Sequence, residues 1–358
     1  METDKLAPLR AKIDALDEKL IRLLNERARL GMKIAGVKAQ TGAPVFMPGR
    51  EQQILQRIAG RNQGPLATES LAHIFREIFS ATRAVEKPLT ITCLGPEGSF
   101  SHLAARRLFG SSAEHLLAAG IDMVFQNVER GVADFGVVPI ENTIEGAVGQ
   151  TMDLLLDSPA RIFAETYYEI HLNLLSNEKS MAGVTTLYTH YMPLGQCRGW
   201  VGRNLPGVKI IETNSTAEAA KLAHGQQGAA AIAAFEAATL YGLDVLAEKI
   251  EERHGNQTRF LAIAMRDCPK SGDDKTSILF STKDQAGALQ RVLKPFSDEK
   301  LNLSRIQSRP NPSGQWEYVF FVDFDGHKDS PAARRALNKV RKQTESFKVL
   351  GSYPNGRA

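Results

Sequence analysis

The stretch Asp4–Gln40, DKLAPLRAKIDALDEKLIRLLNERARLGMKIAGVKAQ, decides the fold of the first part of the chain. Its apolar residues run on two heptad tracks: Leu6, Ile13, Leu20 and Ile34 on one, Leu9, Leu16, Leu23, Leu30 and Val37 on the other. No proline falls between Pro8 and Pro44, so the pattern predicts one helix roughly 50 Å long at ~1.5 Å per residue. A seam of that length exceeds what a small helical unit covers by itself, which predicts pairing with a second copy of the same chain.

The first track breaks at Arg27, and Lys38 lies only about 20° from it around the helix. Both cations therefore point into the apolar seam, where a cation without a partner costs several kcal/mol. Either a carboxylate of a neighbouring helix or a bound anion must answer them. A proline-bounded turn, Ala43-Pro44-Val45-Phe46-Met47-Pro48, leads into a second helix near residues 49–61. A third runs from Thr68 to Glu86 on Leu71, Ile74, Phe75, Ile78, Phe79, Thr82 and Val85 and stops before Pro88. Arg10, Arg27, Lys38, Arg50, Glu51 and Glu86 thus crowd one all-helical unit, residues 1–88, with several polar groups aimed inward.

Composition narrows the class. With 43% apolar and 23% charged residues in 358, the chain has material for two or three globular domains. No apolar run approaches the ~20 residues that span a bilayer, so no membrane partner is expected. Cys93, Cys197 and Cys268 stand far apart, without the spacing of a disulfide framework or a zinc site. The expected location is the cytoplasm, with no metal and no cofactor. Net charge is +4, but residues 88–270 are acidic and the basic ends lack clustered Lys/Arg runs, which argues against nucleic-acid binding.

From Pro88 the pattern changes to short apolar strands alternating with helices. Strands are predicted at 90–94, 135–138, 186–189, 208–212 and 260–264. The first runs into Gly95-Pro96-Glu97-Gly98-Ser99, the second into Pro139-Ile140-Glu141-Asn142-Thr143, and a third junction, Thr213-Asn214-Ser215-Thr216, opens a helix at Ala217. Ser215 and Glu218 are spaced as a capping box. Ordinary capping explains such residues one at a time; three such junctions at strand ends in one domain predict a small-anion pocket. The glycine loop fits neither a dinucleotide fingerprint nor a phosphate loop. A fourth piece, Gly255-Asn256-Gln257-Thr258-Arg259-Phe260, reads as a polar turn feeding a strand.

Residues 275–353 read β-α-β-β-α-β: 276–281, a helix from Asp284 to Asp298, 301–307, a strand from Trp316 to Phe324, a helix from Pro331 to Thr344, and 347–351. That order is the ferredoxin-like unit.

These motifs carry a resemblance to known families. The helical unit, with Leu9-Arg10, Glu26-Arg27, Val37-Lys38, Arg50-Glu51 and Thr82 with Glu86, resembles the intertwined chorismate mutase dimer. The resemblance implies that Arg10, reaching from the partner subunit, and Arg27 hold the two carboxylates of chorismate. It further implies that Lys38 and Glu86 meet the ether oxygen and Glu51 the ring hydroxyl, with Arg50 and Thr82 completing the site. The family's next hydroxyl contact falls at Met47, a weak acceptor. The rearrangement to prephenate needs no nucleophile, only a folded dianion and stabilisation of charge on the ether oxygen. Glu86 can donate to that oxygen only when protonated, which predicts a mutase faster in mild acid than at neutral pH.

The middle of the chain, 89–267, resembles prephenate dehydratase through Leu94–His102, Val138–Gly146, Asn214–Ala217, Leu240–Leu243 and Thr258-Arg259-Phe260. The resemblance implies two α/β lobes, arranged like a type II periplasmic binding protein, closing on prephenate. Thr258 is then the residue on which the reaction depends, and Arg259 lies near a substrate carboxylate. Ser99, Asn142, Thr143, Ser215 and Thr216 complete the expected prephenate site. Where this family reads Ser-His-Pro-Gln, the chain has Thr189-His190-Tyr191-Met192, so His190 is expected to be structural.

The last part, with Gly287-Ala288-Leu289 and Ser308-Arg309-Pro310, resembles the ACT domain that binds phenylalanine as a feedback effector in a domain dimer. Gln290 and Gln307 depart from that pattern, and the loss of a carboxylate at 307 predicts weak inhibition. The fold class is therefore multidomain α and α/β: a helical mutase unit, a two-lobed dehydratase and a βαββαβ ACT domain, in a homodimer. Two other readings use the same residues. One is a monofunctional dehydratase whose helices only dimerise; the other is a non-catalytic sensor of small anions or amino acids. Assays of chorismate consumption and of phenylpyruvate formation separate them.

Overall fold

The computed structural model describes residues 3–41, 44–283, 285–310 and 318–356. The chain forms two compact units, one of residues 1–89 with 109–114, the other of 90–108 with 115–358.

In the helical unit α1 spans Thr3–Thr41, α2 Pro48–Arg61 and α3 Thr68–Glu86. Pro48 sits at the first turn of α2, where its missing N–H costs nothing. The interior is small: Phe46, Phe79 and Phe109 are almost wholly buried, beside the polar Ser80 and Arg83. The heptad residues of α1 remain outside it. Leu9, Ile13, Leu16, Leu20, Leu23 and Val37 are each 55–61% exposed, a stripe far too long to be a set of scattered surface apolars. Beside it lies an open groove of about 700 Å³ between α1 and α3, lined by Leu24, Ala28, Ile74, Ile78, Ala81 and Val85 among others.

The second unit contains two α/β lobes and an ACT-type sheet. Its first lobe comprises β1 (Thr90–Leu94), α4 (Phe100–Phe109), β2 (Glu114–Ala118), α5 (Ile121–Glu129), β3 (Phe135–Asn142), β4 (Gly146–Ala147), α6 (Gly149–Asp157), β5 (Arg161–Glu169) and, returning later, β11 (Gln257–Ala264). The sheet order is β2-β1-β3-β11-β5, with β4 paired to β3. The second lobe holds β6 (Asn173–Ser176), β7 (Thr186–Thr189), α7 (Tyr191–Asn204), β8 (Lys209–Glu212), α8 (Thr216–Ala223), β9 (Ala229–Ala233), α9 (Phe235–Tyr241) and β10 (Asp244–Ala247), in sheet order β10-β6-β9-β7-β8. Two chain crossings, β5 to β6 and β10 to β11, join the lobes. The central β9, Ala-Ala-Ala-Ile-Ala, is buried throughout, and its small side chains let Ala219, Ala220 and Ala223 of α8 approach closely.

The third sheet has order β13-β14-β12-β15, from β12 (Asp274–Ser281), β13 (Leu303–Pro310), β14 (Tyr318–Asp325) and β15 (Ser346–Pro354), all antiparallel. Helices α10 (Ala288–Asp298) and α11 (Pro331–Arg341) cover Ile278, Phe280, Val322 and Phe324. The helix expected from Asp284 starts at Ala288, because Gly287 takes a left-handed φ of 75° at its N-cap; Asp284 itself, and Trp316 at the expected strand start, lie outside the described residues. Among the described residues no helix is long and apolar enough to cross a membrane. Cys93, Cys197 and Cys268 are free and buried, and burial pushes each thiol up to about 12.

Candidate active sites

In the helical unit the inward cations meet the far end of α3. Arg27 Nη1 donates to Thr82 Oγ1 at 2.5 Å, and Thr82 in turn donates to the Ile78 carbonyl at 2.7 Å. The guanidinium carbon lies 5.2 Å from the centre of the Phe79 ring, and burial pushes the Arg27 pKa down although Glu51 and Glu86 pull it up. Arg27 is thus steadied by a hydroxyl and a ring, which leaves its charge available to an anion.

Lys38 Nζ donates to the Val45 carbonyl at 3.1 Å and stands 3.7 Å from Glu86 Oε2. That Glu86 oxygen is buried and has no hydrogen-bond partner in the described residues. Gly31 makes room for this arrangement: a Cβ there would lie 2.6 Å from Thr82 Cγ2 and 3.1 Å from Glu86 Oε1. Glu51, from α2, is gripped by Arg83 of α3. Burial pushes its carboxyl above the usual range, against the pull of Arg83, Arg27 and Lys38. Arg10 and Arg50 are exposed. Sequence reasoning did not single out Arg83.

In the first α/β lobe, antiparallel pairing of β11 on β3 sets Thr258 directly opposite Asn142. Asn142 Oδ1 accepts from the backbone N–H groups of Ile144 and Glu145, at 2.9 and 3.0 Å. Those two donors fix the amide's orientation, so Nδ2 is the atom that faces Thr258, donating to its Oγ1 at 2.8 Å and to Asn256 Oδ1 at 2.7 Å. A hydroxyl that already accepts from an amide is left with its own proton to give away.

The amide of Asn256 continues to Gln196 on α7, whose own amide reaches Glu145. This polar chain joins the two lobes. Asn256 was not among the expected site residues; its signal was its place in the turn before Thr258.

The other expected prephenate residues are differently employed. Ser99 Oγ donates to the Leu94 carbonyl and accepts from the His102 N–H, fixing the Gly95–Ser99 turn. Thr143 bridges the Gly255 carbonyl and the Gln257 N–H, and β3 continues to Asn142 and turns into β4, so no helix begins directly at that junction. Ser215 caps α8 by accepting from the Glu218 N–H, and Glu218 accepts from Asn214 N–H; Thr216 is buried at the first turn. His190 caps α7 by accepting from Met192 N–H, a structural role.

Arg259 departs from expectation. It lies within β11, not in a turn before it, and successive strand residues point to opposite faces. With Thr258 beside Asn142, the Arg259 guanidinium is on the reverse face, where Nε donates to Glu165, Nη1 to Asp323 and Nη2 to Tyr353, at 2.7, 2.6 and 2.9 Å. Lys275 also donates to Glu165, and Ser277 to Asp323. Burial pulls the Arg259 pKa down, but Asp323, Tyr353 and Glu165 more than restore it; Asp323, despite its burial, is held below the usual carboxylate range by Arg259 and Ser277.

The expected effector residues lie partly in the same seam. Arg309 makes a bidentate pair with Asp153 of α6 at 2.8–2.9 Å, while Ser308 and Pro310 are exposed. Arg305, four residues earlier on β13, pairs with Glu141 at 2.7 Å, next to Asn142. Gly287, Ala288 and Leu289 form the start of α10.

Comparison with known proteins places these features. The family model for chorismate mutase type II matches residues 9–87, that for prephenate dehydratase residues 91–268, and that for the ACT domain residues 276–342. A bifunctional chorismate mutase/prephenate dehydratase of Aquifex aeolicus is 44% identical over 355 residues, covering 98% of each chain. Its counterpart from Pseudomonas aeruginosa is 45% identical over 359 residues, 99% of this chain and 98% of that one. The crystal structure of a prephenate dehydratase from Arthrobacter aurescens, in complex with L-Phe, aligns with TM-score 0.69 and 31% identity, over 75% of this chain and 90% of that one. Because the likeness runs end to end through all three regions, the chain belongs to the bifunctional chorismate mutase/prephenate dehydratase family.

Proposed function

We propose that the protein rearranges chorismate to prephenate in its helical unit and converts prephenate to phenylpyruvate in its α/β unit, within phenylalanine biosynthesis. The observation that carries the second step is the one-way hydrogen bond from Asn142 to Thr258. Prephenate loses carbon dioxide and its ring hydroxyl because the product ring is aromatic, and the hydroxyl is the poor leaving group. Thr258, polarised by Asn142, donates to that departing oxygen.

For the first step, Arg27 binds a substrate carboxylate, Lys38 and Glu86 take the ether oxygen, and Glu51 takes the ring hydroxyl. Thr82 steadies Arg27. Arg10 and Arg50 join the substrate on assembly of a homodimer, which the exposed α1 stripe supports. Buried free thiols fit a reducing compartment, so the proposed location is the cytoplasm.

The test of the reading is Thr258→Ala in the full chain. Phenylpyruvate formation from prephenate falls at least about a hundredfold, while prephenate formation from chorismate is retained. Equal loss of both would show that the substitution only unfolds the protein.

Phenylalanine is the proposed effector, bound at the ACT sheet through Gly287, Ala288, Leu289 and Ser308. The bidentate use of Arg309 by Asp153 leaves that guanidinium to tie the domains and not to grip ligand. Weak inhibition follows, and Gln307→Glu is expected to strengthen it. Inhibition at low micromolar phenylalanine, unmoved by that substitution, would contradict it.

A further inference from the structure

Thr82 and Glu86 stand one turn apart on α3 and face α1, whereas Arg83 is about 100° round the helix and faces α2. Its side chain is 7% exposed, a costly place for a cation without good partners. Those partners are specific. Nη1 donates to Glu51 Oε1, Nη2 donates to the Phe109 carbonyl at 2.6 Å, and the guanidinium carbon sits 5.2 Å from the centre of the Phe46 ring. Phe46 in turn packs on the Phe109 ring with centroids 4.7 Å apart.

Phe109 opens a segment, Phe109–Glu114, that runs from the last residue of α4 to the first of β2 yet belongs to the helical unit. Its seat is tailored. Gly110 has φ +76°, and a Cβ on it would lie 2.3 Å from Ser80 Cβ. Ser112 N–H donates to Ser80 Oγ at 3.0 Å, and Ser111 Oγ donates to Glu77.

We infer that Arg83 is a positioning residue of the mutase site, presenting Glu51 as a fixed acceptor for the substrate hydroxyl, and that residues 109–114 complete the site by holding Arg83. The inference rests on the mutase reading above. Arg83 occupies Oε1 of Glu51 and leaves Oε2 to the substrate. Burial by itself favours the neutral carboxyl, and Arg83 leads the cations that oppose it. Met47 offers the hydroxyl only a thioether, so recognition there falls on Glu51, and a carboxylate free to rotate would lose the alignment on which a positional catalyst depends.

The test uses the full-length protein and both steady-state assays. Arg83→Met, which keeps the apolar stem, is expected to raise the KM for chorismate about tenfold or more, with kcat/KM for prephenate within about twofold of wild type. In a Glu51→Ala background the same substitution is expected to add little, because the acceptor it positions is already gone. Losses that simply multiply, or a chorismate KM unmoved in Arg83→Met, would overturn the role of Arg83. Should Arg83→Met not fold, Arg83→Lys carries the same test, with an intermediate KM expected because charge is kept and the fork is lost. Gly110→Ala displaces the segment without touching α2 or the substrate-facing side of α3, and is expected to raise chorismate KM severalfold; an unchanged KM would overturn the role of residues 109–114. Failure of the wild-type protein to consume chorismate would overturn the mutase reading itself.

Discussion

At the scale of single residues, the two proposed reactions use side chains in opposite ways. Arg27, Lys38 and Glu86 keep part of their bonding capacity open, whereas Asn142 is saturated so that Thr258 is not. His102 illustrates the supporting cast. Its Nδ1 accepts from the Gly98 N–H beneath the turn that carries Ser99, and burial, with His115 and Arg106 adding to it, pushes its pKa down from 6.5 to about 4. Between those values the unfolded chain holds a proton that the folded chain does not, so stability falls as pH falls from 6.5 towards 4. His102→Asn removes that term. Melting temperatures at about pH 7 and about pH 4.5 should therefore differ less in the variant than in wild type; equal differences would contradict the assignment.

Elements decide what each residue can reach. On β3 and β11 the pairs Thr258–Asn142 and Arg259–Glu141 follow each other along the ladder, so the strand pleat sends the first pair to the proposed site and the second to the ACT sheet. Arg259→Met leaves Glu165 and Asp323 short of a cation, and breaking such a buried network costs about 3–5 kcal/mol. Calorimetry of the full chain should show a lowered melting temperature in Arg259→Met together with lost dehydratase activity, and a near-normal one in Thr258→Ala. Matching melting temperatures in the two variants would refute a structural role for Arg259.

Much of this was legible in the sequence: the heptad tracks placed α1, and Pro88 closed α3 at Glu86. Strand ends were not. Thr258 and Arg259 look like a turn because Gly255-Asn256 precedes them, and only ladder pairing shows that they are strand residues of opposite face. The alanines of β9 carry no strand signature, since their burial reflects close helix packing and not propensity. Arg83 sits off the apolar tracks, and its partner at Phe109 lies across a domain boundary in sequence.

At the scale of the whole chain, the ACT sheet and the first lobe are joined by charge. Arg305 meets Glu141, Arg309 meets Asp153, Lys275 meets Glu165, and Lys348 Nζ donates to the carbonyls of Leu155, Leu156 and Ser158 at the end of α6. Arg305 and Arg309 share β13 with Gln307-Ser308, and Arg305 ties this strand to Glu141, the residue beside Asn142. The contacts that set up Thr258, from Asn142 and through it Asn256, lie within one chain. The apolar stripe of α1 is exposed among the described residues, and the proposed mutase dimer would cover it. If the proposed dimer completes the mutase site and not the dehydratase site, mass action separates the two activities: on serial dilution the chorismate rate per chain should drop while the prephenate rate per chain holds steady. A cell making little of this protein would become short of the first activity before the second.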